Sequence, residues 1–439
     1  MPSDLGRDEV TRRVFAEIDR LAPTYVRFLQ ELLRRPSHLG HEKAAQRLMA
    51  ARMRELGLTV DVFDCDPTVL AASGAWAPTD WSYEDRPNVV GVRKGVGGGR
   101  SLILGGHVDT VPAGPRELWE HDPFGGEIDG NRLYGRGATD DKAGCAQILL
   151  VADAIERAGV RLRGDLLLHS VIEDECTGNG TLACILRGHT ADGALVVDGT
   201  AAGRAIAGHS GGIWFRVDVP GRSAPAWEEG HDANAIGKAL HLIEALHAFV
   251  ERRLAKQDPD QKKDMPYIFC IGSIRSATGD GSVTADSCRV EGYLDFPPPE
   301  TLGTIKPAIE AVIAWAAAED PWLRVHPPRV SFNGLHHDPV ASTVTEEYTA
   351  ALGRSHREVL GQDMVFQTLA AWCDLRHFSH VRPTPACLFG PGRGGAAHGA
   401  DEYFDLGDFA PIARVVAGFV LDWCGWERSD APGQGLVER

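Results

Sequence analysis

The chain has 439 residues, 43% of them hydrophobic and 24% charged, with a formal net charge of −16. That length allows two domains and a large core, and the composition is that of an ordinary globular protein. The acidic balance excludes a nucleic-acid surface as the expected partner, and no apolar run is long enough to span a membrane. The N-terminal stretch MPSDLGRDEVTRRVF lacks the apolar core of a secretion signal, and the nine scattered cysteines form no CxxC pair. Both features predict a cytoplasmic protein with reduced thiols.

Val14, Phe15, Ile18 and Leu21, then Phe28, Leu29, Leu32 and Leu33, recur at helical spacing. Pro36-Ser37 ends that run. A second helix carries Leu48, Met49, Met53 and Leu56 and is capped by Gly57, after which Leu58 to Phe63 reads as a strand. Residues 72–86, rich in Trp, Pro, Ser and Asp, read as a surface loop. Three apolar runs then lead into polar residues. Leu102-Ile103-Leu104 leads to His107, Leu166-Leu167-Leu168 to Glu173-Asp174-Glu175, and Leu195-Val196-Val197 to Asp198. A helix is predicted over 143–158. Buried strands alternating with helices imply an α/β fold with a mostly parallel sheet, whose site gathers at the carboxyl ends of the strands.

The pattern changes near residue 206. Ile213, Phe215, Val217 and Val219 alternate as in a half-exposed strand, and Ile236, Leu240, Ile243 and Leu246 follow at helical spacing. Strands are predicted at 267–273 and 287–296, a helix at 301–318 and a further strand near 322–332. This order is that of an inserted ferredoxin-like α+β domain. Helices around 342–361 and 408–424 return the chain to the first domain. The expected division is therefore a catalytic domain in two parts, 1–205 and 329–439, with a lid domain over 206–328.

Five side chains have the chemistry of metal ligands: His107, Asp140, Glu175, Asp198 and His398. Imidazole with carboxylate is the ligand set of a hydrolytic centre for one or two divalent ions, in which bound water attacks. In His107-Val108-Asp109 the aspartate is two residues on, so it can take the second ring N–H of His107 and fix its tautomer. Alone, that pair is weak. Gly135-Arg136-Gly137-Ala138-Thr139-Asp140-Asp141-Lys142 combines a tight turn with acids that enter a helix, where a plain N-cap is the ordinary alternative for Asp140. Glu173-Asp174-Glu175 sets three acids side by side, which a cation or solvent must compensate. One of them would ligate and a neighbour would serve as general base. A thiol nucleophile at Cys176 lacks a supporting Cys/His arrangement. No nucleophile elbow, Walker loop or dinucleotide fingerprint appears in a convincing setting.

Together, GGHVDTVPAG, WEHDPFGGEIDGNRLYGRGATDDKAG and FGPG…AAHGADEY resemble the metallopeptidase family of acetylornithine deacetylase, succinyl-diaminopimelate desuccinylase, aminoacylase and glutamate carboxypeptidase over nearly the whole chain. The resemblance implies that His107 and Asp198 bind one ion, Glu175 and His398 the other, and Asp140 bridges, with zinc, manganese or cobalt as the metal. It implies that Asp109 supports His107 from behind and makes Asp174, at a position where family members usually have Glu, the general base, with Glu173 as the fallback. It also implies a homo-oligomer formed through the lid.

Three further positions depart from the family pattern. The lid motif Gly-x-x-Ala-His reads Gly221-Arg222-Ser223-Ala224-Pro225 here, and proline cannot polarise a carbonyl. Ser282 takes the place of a lid asparagine, and Asp295 that of a lid arginine that binds substrate carboxylates. Arg289 or Arg376 is then expected to hold a carboxylate on a small-molecule substrate. Loss of an oxyanion donor typically costs an amidase about 100- to 1,000-fold. The leading expectation is therefore hydrolytic deamination of an electron-poor aromatic amine, as in the 5-nitroanthranilate aminohydrolase branch. The alternative, near parity, is an N-acyl amino-acid amidase, deacetylase or dipeptidase in which His209, His231 or Arg222 replaces the missing imidazole. A catalytically silent binding protein is a third alternative, opposed by retention of all five ligand positions.

Overall fold

The computed structural model describes residues 4–200, 204–227, 231–276, 281–392 and 396–428. The apolar stripe of the first helix, Asp4–Leu33, buries Val14, Ile18, Tyr25, Phe28 and Leu32. That helix packs against Lys142–Arg157 and Phe409–Cys424, two helices whose residues are largely buried. Helices hydrophobic on most sides belong inside a large core rather than on a surface. Gly57 closes the second helix, Lys43–Glu55, in the left-handed region at φ +76°.

The helices flank an eight-stranded sheet. Its spatial order is Thr59–Asp64, Pro87–Arg93, Leu166–Val171, Leu102–His107, Gly193–Gly199, Ala386–Gly390, Arg204–His209 and Val365–Leu369. The four central strands, from Leu166–Val171 to Ala386–Gly390, are parallel. Every residue of Leu102–His107 and Leu166–Val171 is buried, as a strand covered on both faces requires. The sheet as a whole is mixed, more so than the expected mostly parallel one. Thr59–Asp64, Pro87–Arg93 and Leu166–Val171 pair antiparallel, and Ala386–Gly390 meets Arg204–His209 antiparallel. The strand Pro87–Arg93 has no counterpart among the elements expected from the sequence.

A second sheet has the order Ile268–Arg275, Ser287–Phe296, Gly211–Pro220 and Arg329–Ser331, with His336–His337 paired beside Gly211–Pro220. Its pairings are antiparallel. The helices Ala235–Lys256 and Leu302–Glu319 bury Leu242, Leu246, Ile305 and Ile309 with Ile213, Phe215 and Val217 in a core separate from that of the large sheet.

Two expectations need correction here. The division at 205/206 falls inside Arg204–His209, a strand of the large sheet, and Arg329–Ser331 belongs to the small one. Arg204–His209 is placed by parallel pairing with Val365–Leu369, a partner far away in sequence. The strand expected near 322–332 shrinks to Arg329–Ser331. Asp320 accepts the N–H groups of Trp322 and Leu323 and closes a turn, so these apolar residues dock without extending.

The helix Lys142–Arg157 lies hard against the central sheet at Gly144. A Cβ there would stand 1.7 Å from the carbonyl oxygen of Val197. Gly144→Ala should therefore lower stability in chemical denaturation by about 1–3 kcal/mol or more, the range of core overpacking. An unchanged midpoint would mean that the helix does not seat this closely.

Candidate metal centre

The parallel strands end together, and their ends carry the acids. His107 closes Leu102–His107, and Asp198 lies in Gly193–Gly199. The Glu173-Asp174-Glu175 turn follows Leu166–Val171, and His398 lies beyond Ala386–Gly390. Asp140 precedes the helix Lys142–Arg157. Glu173 and His398 both take left-handed backbone, at φ +67° and +64°, which is unusual for non-glycine residues.

The structure brings the five expected ligands together. Asp140 lies between two imidazoles, with Oδ1 3.0 Å from His107 Nε2 and Oδ2 3.1 Å from His398 Nε2. His398 Nε2 is also 3.0 Å from Glu175 Oε2. Donor atoms of Asp140, Glu175 and His398 lie within 4.8 Å of one another, as do those of His107, Asp141 and Asp198. Asp141 carried no separate signal in the sequence, because either member of an Asp-Asp pair can cap a helix. It is Asp141, not Asp140, that caps: its Oδ1 accepts from Gly144 N–H, and its Oδ2 accepts from the backbone N–H of His107.

Burial raises the pKa of most of these carboxyls, and their mutual repulsion adds to it; in Asp140 burial is outweighed by the hydrogen bonds to His107 and His398, which hold its carboxyl well below the usual range. Glu175 is pushed up to about 7 by burial and then by Asp140, and Asp198 to about 7 by the same two causes. Burial, then Asp198, raises Asp141 well above the carboxylate range. Burial, then Asp374, does the same to Asp174. His398 moves the other way, up to about 10, through its contacts with Asp140 and Glu175. Burial would depress His107, but Asp174, Asp109 and Asp140 together raise it well above its ordinary value. Buried like charge of this density is relieved by cations. The imidazole and carboxylate donors fit one or two divalent ions.

Other carboxylates are already satisfied, and they hold the loops. Asp109 accepts the backbone N–H groups of Asp174 and Glu175 at 3.2 and 3.1 Å. Its carbonyl oxygen is 3.0 Å from His107 Nδ1, and its carboxylate is 3.5 Å away. Glu402 accepts the N–H groups of Gly137, Thr139 and Asp140 and pairs with Arg136. Glu173, expected as a fallback base, faces away from the cluster. It is fully buried, accepts from Trp81 Nε1, Tyr83 OH and Thr177, and pairs with Arg86 at 2.7 Å. A carboxylate with its acceptor sites filled in this way anchors the turn and has no capacity left for a proton from the cleft. Asp174 does reach the cluster, with Oδ2 3.8 Å from His107 Nε2.

A cleft of about 360 Å³ opens above these residues, lined also by Arg204, Thr200, Gln367, Leu369, Trp372 and Leu388. Arg289 and Arg376 do not line it. Arg289 pairs with Asp218 at 2.7 Å beside a groove on the second sheet. Arg376 is buried beneath the acidic turn, where it donates to the carbonyls of Cys373 and Thr177. Positive charge near a motif says nothing about where the side chain is spent, and that misled both assignments. Among the described residues, Arg204, unmarked in the sequence, is the guanidinium that lines the cleft. Cys176 is buried with its thiol pushed up by burial, the opposite of an activated nucleophile.

Of the residues expected to replace the lid histidine, Arg222 lies over the ring of Trp322 at 5.8 Å, within the second sheet's own unit. His209 is buried one layer beneath the cleft, with Nδ1 2.7 Å from Ser210 O. The side chain of His231 lies outside those described. Pro225 bridges to Val283.

Acids and imidazoles gathered at the ends of parallel strands define a metal-dependent hydrolase, with one or two divalent ions as its cofactor. The chain belongs to peptidase family M20/M25/M40, whose model matches residues 103–422. It is a hydrolase of C–N bonds. It is 28% identical to an N-formyl-4-amino-5-aminomethyl-2-methylpyrimidine deformylase of Halalkalibacterium halodurans, across 94% of this chain and 98% of that protein. It is 25% identical to a succinyl-diaminopimelate desuccinylase of Leptothrix cholodnii, across 88% and 95%. Among solved structures it is similar to the Saccharomyces cerevisiae dipeptidase Dug1p, with a TM-score of 0.77, 17% identity and coverage of 96% and 99%. None of the described helices is long and apolar enough to cross a membrane.

Two variants test the support of the site. Asp109→Asn should weaken divalent-metal affinity about 10- to 100-fold in competition with a chelator, the usual effect of losing an outer partner of a ligand. Glu173→Gln should leave metal affinity far less changed but lower stability by about 3 kcal/mol, because Arg86 loses a buried partner. The opposite ranking would make Glu173 the residue of the metal site.

Proposed function

We propose that this hydrolase cleaves the acyl–nitrogen bond of a small N-acyl amine, with a short acyl group such as formyl. The observation that carries the reading is Asp140, whose two oxygens face the imidazoles of His107 and His398. One carboxylate reaching both sides suits two ions held close together. In this assignment His107 and Asp198 would hold one ion and Glu175 and His398 the other, with Asp140 facing both imidazoles. Bound there, divalent ions supply the positive charge that acidifies water and polarises an amide carbonyl.

The chain's own groups do the remainder. Asp174 sits at the edge of the cluster with its pKa raised by burial, as a proton acceptor near neutral pH requires. It takes the proton of the attacking water and returns it to the departing nitrogen. Asp109 positions this turn through the two backbone N–H groups it accepts. Ile206, Leu369 and Leu388 give the cleft an apolar wall that limits the water around the scissile bond. The relatives named for deformylation and desuccinylation align over almost their whole length, which supports acyl–nitrogen cleavage.

One observation favours a second reading, hydrolytic deamination of an electron-poor aromatic amine. Pro225 stands where the family pattern has the carbonyl-polarising histidine, and an intermediate whose charge spreads over a ring needs no such donor. Homo-oligomerisation remains part of the proposal. The edge strand Ile268–Arg275 exposes Ile268 and Ile274, which a second copy would cover.

Purified enzyme reloaded with zinc or manganese should release acid from N-formyl or N-succinyl amines and no ammonia from 5-nitroanthranilate. Metal-dependent ammonia with no acyl hydrolysis would overturn the proposal in favour of deamination. Asp174→Asn should lower kcat at least about 100-fold with metal content unchanged, and a near-native kcat would remove Asp174 from the base role.

A further inference from the structure

A second cavity, of about 640 Å³, opens on the face of the second sheet that its helices leave uncovered. Along Gly211–Pro220, Ile213 and Phe215 are buried with the helices Ala235–Lys256 and Leu302–Glu319, so Trp214 and Arg216 turn the other way. Trp214 stands opposite Tyr293, and Tyr293 opposite Cys270, so these three share that face. Leu39, Asp80 and Trp81, from the chain before the strand Pro87–Arg93, line the cavity as well. Two contacts hold that stretch to the second sheet. Gly334 N–H donates to the carbonyl oxygen of Pro78 at 2.6 Å, and Arg216 pairs with Asp80 at 3.3 Å.

Much of the polar chemistry in this lining is already engaged. Trp81 Nε1 donates to Glu173 at 2.7 Å. The hydroxyl of Tyr293 turns toward Asp295 and Trp372. Arg216 is held between Asp80 and Glu291, the second at 3.0 Å. What remains toward the cavity is ring surface, whose removal from water is favourable. Gly272 also belongs to the lining, and a Cβ there would meet no atom within 4 Å. The volume and the position between two parts of the chain are those of a small-molecule site. A charged ligand would have to break the Arg216 pairs to find a partner, whereas an uncharged one leaves them intact.

We propose that this cavity binds a flat, uncharged aromatic molecule against Trp81, Trp214 and Tyr293, at a site separate from the metal cleft. Among the described residues the cavity and the cleft share no lining residue, so the occupant is a second ligand and not the substrate. Two contacts nevertheless link the sites. Tyr293 adjoins Trp372, which lines the cleft, and Trp81 bonds Glu173, which anchors the turn carrying Asp174 and Glu175. A molecule seated on Trp81 is thus one side chain away from that anchor. A second copy paired along the edge strand Ile268–Arg275 would extend the sheet and leave this face open.

The test uses the full chain and two fluorescent probes built on one ring system, uncharged N-phenyl-1-naphthylamine and anionic 8-anilinonaphthalene-1-sulfonate. The uncharged probe should bind at one site per chain, at least about fivefold tighter than the anion, which must compete for arginines already paired. Trp214→Ala should weaken that binding at least about tenfold. Gly272→Leu, which fills the cavity from a position that crowds no atom, should weaken it at least about tenfold too, and it serves where Trp214→Ala fails to fold. Cys270 gives a second readout, because it is exposed while the other cysteines are buried. Saturating uncharged probe should slow its alkylation by N-ethylmaleimide at least about fivefold. Chelator-treated and manganese-loaded enzyme should bind the probe alike. Equal affinity in wild type and Gly272→Leu, an anion bound as tightly as the uncharged probe, or alkylation that the probe does not slow overturns the site. An affinity that changes with manganese places the probe in the metal cleft and overturns it as well.

Discussion

Everything near the cleft depends on keeping negative charge buried at the ends of parallel strands. Asp140, Asp141, Glu175 and Asp198 converge where the central strands stop, with two imidazoles and, among the described residues, no lysine or arginine paired to any of the four. Burial drives carboxyls toward neutrality, and Glu175 and Asp198 show it, whereas Asp140, held between both imidazoles, stays a carboxylate. Such an arrangement persists only because the surrounding fold imposes it. The close seat of the helix Lys142–Arg157 at Gly144 fixes the Asp140-Asp141 corner. The parallel register of Leu102–His107 with both of its neighbours sets His107 between the acidic turn and Asp198.

The acids divide by what their oxygens accept. Glu173, Asp109 and Glu402 are engaged with backbone N–H groups, hydroxyls, an indole or arginine. They tie the loops down. Asp140 and Glu175 meet imidazoles instead, and Asp174 stands at the rim of the cluster. Satisfied carboxylates buttress the unsatisfied ones, and this division separates Glu173 from Asp174 although they are neighbours in sequence. The left-handed backbone at Glu173 turns its side chain inward while the next two residues face the cleft.

Much of this was legible in the sequence because the strands are buried on both faces. Each apolar run breaks off at its polar end, so His107, the acidic triplet and Asp198 announced themselves by position alone. Whatever depends on distant partners was not legible. The Glu402 cradle joins residues more than 250 positions apart, and Arg204–His209 finds its place in the large sheet through Val365–Leu369. Arg289 and Arg376 were misread because sequence gives a charge and not its partner. Asp218 and the carbonyls of Thr177 and Cys373 already occupy them.

The second sheet carries the departures from the family pattern, while the metal-binding side of the cleft keeps it. Proline at 225 removes an imidazole donor, and aspartate at 295 puts an acceptor where a cation is the family pattern. Both changes run in one direction, from groups that favour anions to groups that do not. A site built to grip a carboxylate cannot tolerate a buried acid at its far end, since the repulsion would be poorly screened there. The ligand cluster and its buttresses constrain the reaction, and in the second sheet Gly212 packs closely against Asp295 and His337, where a side chain would crowd both.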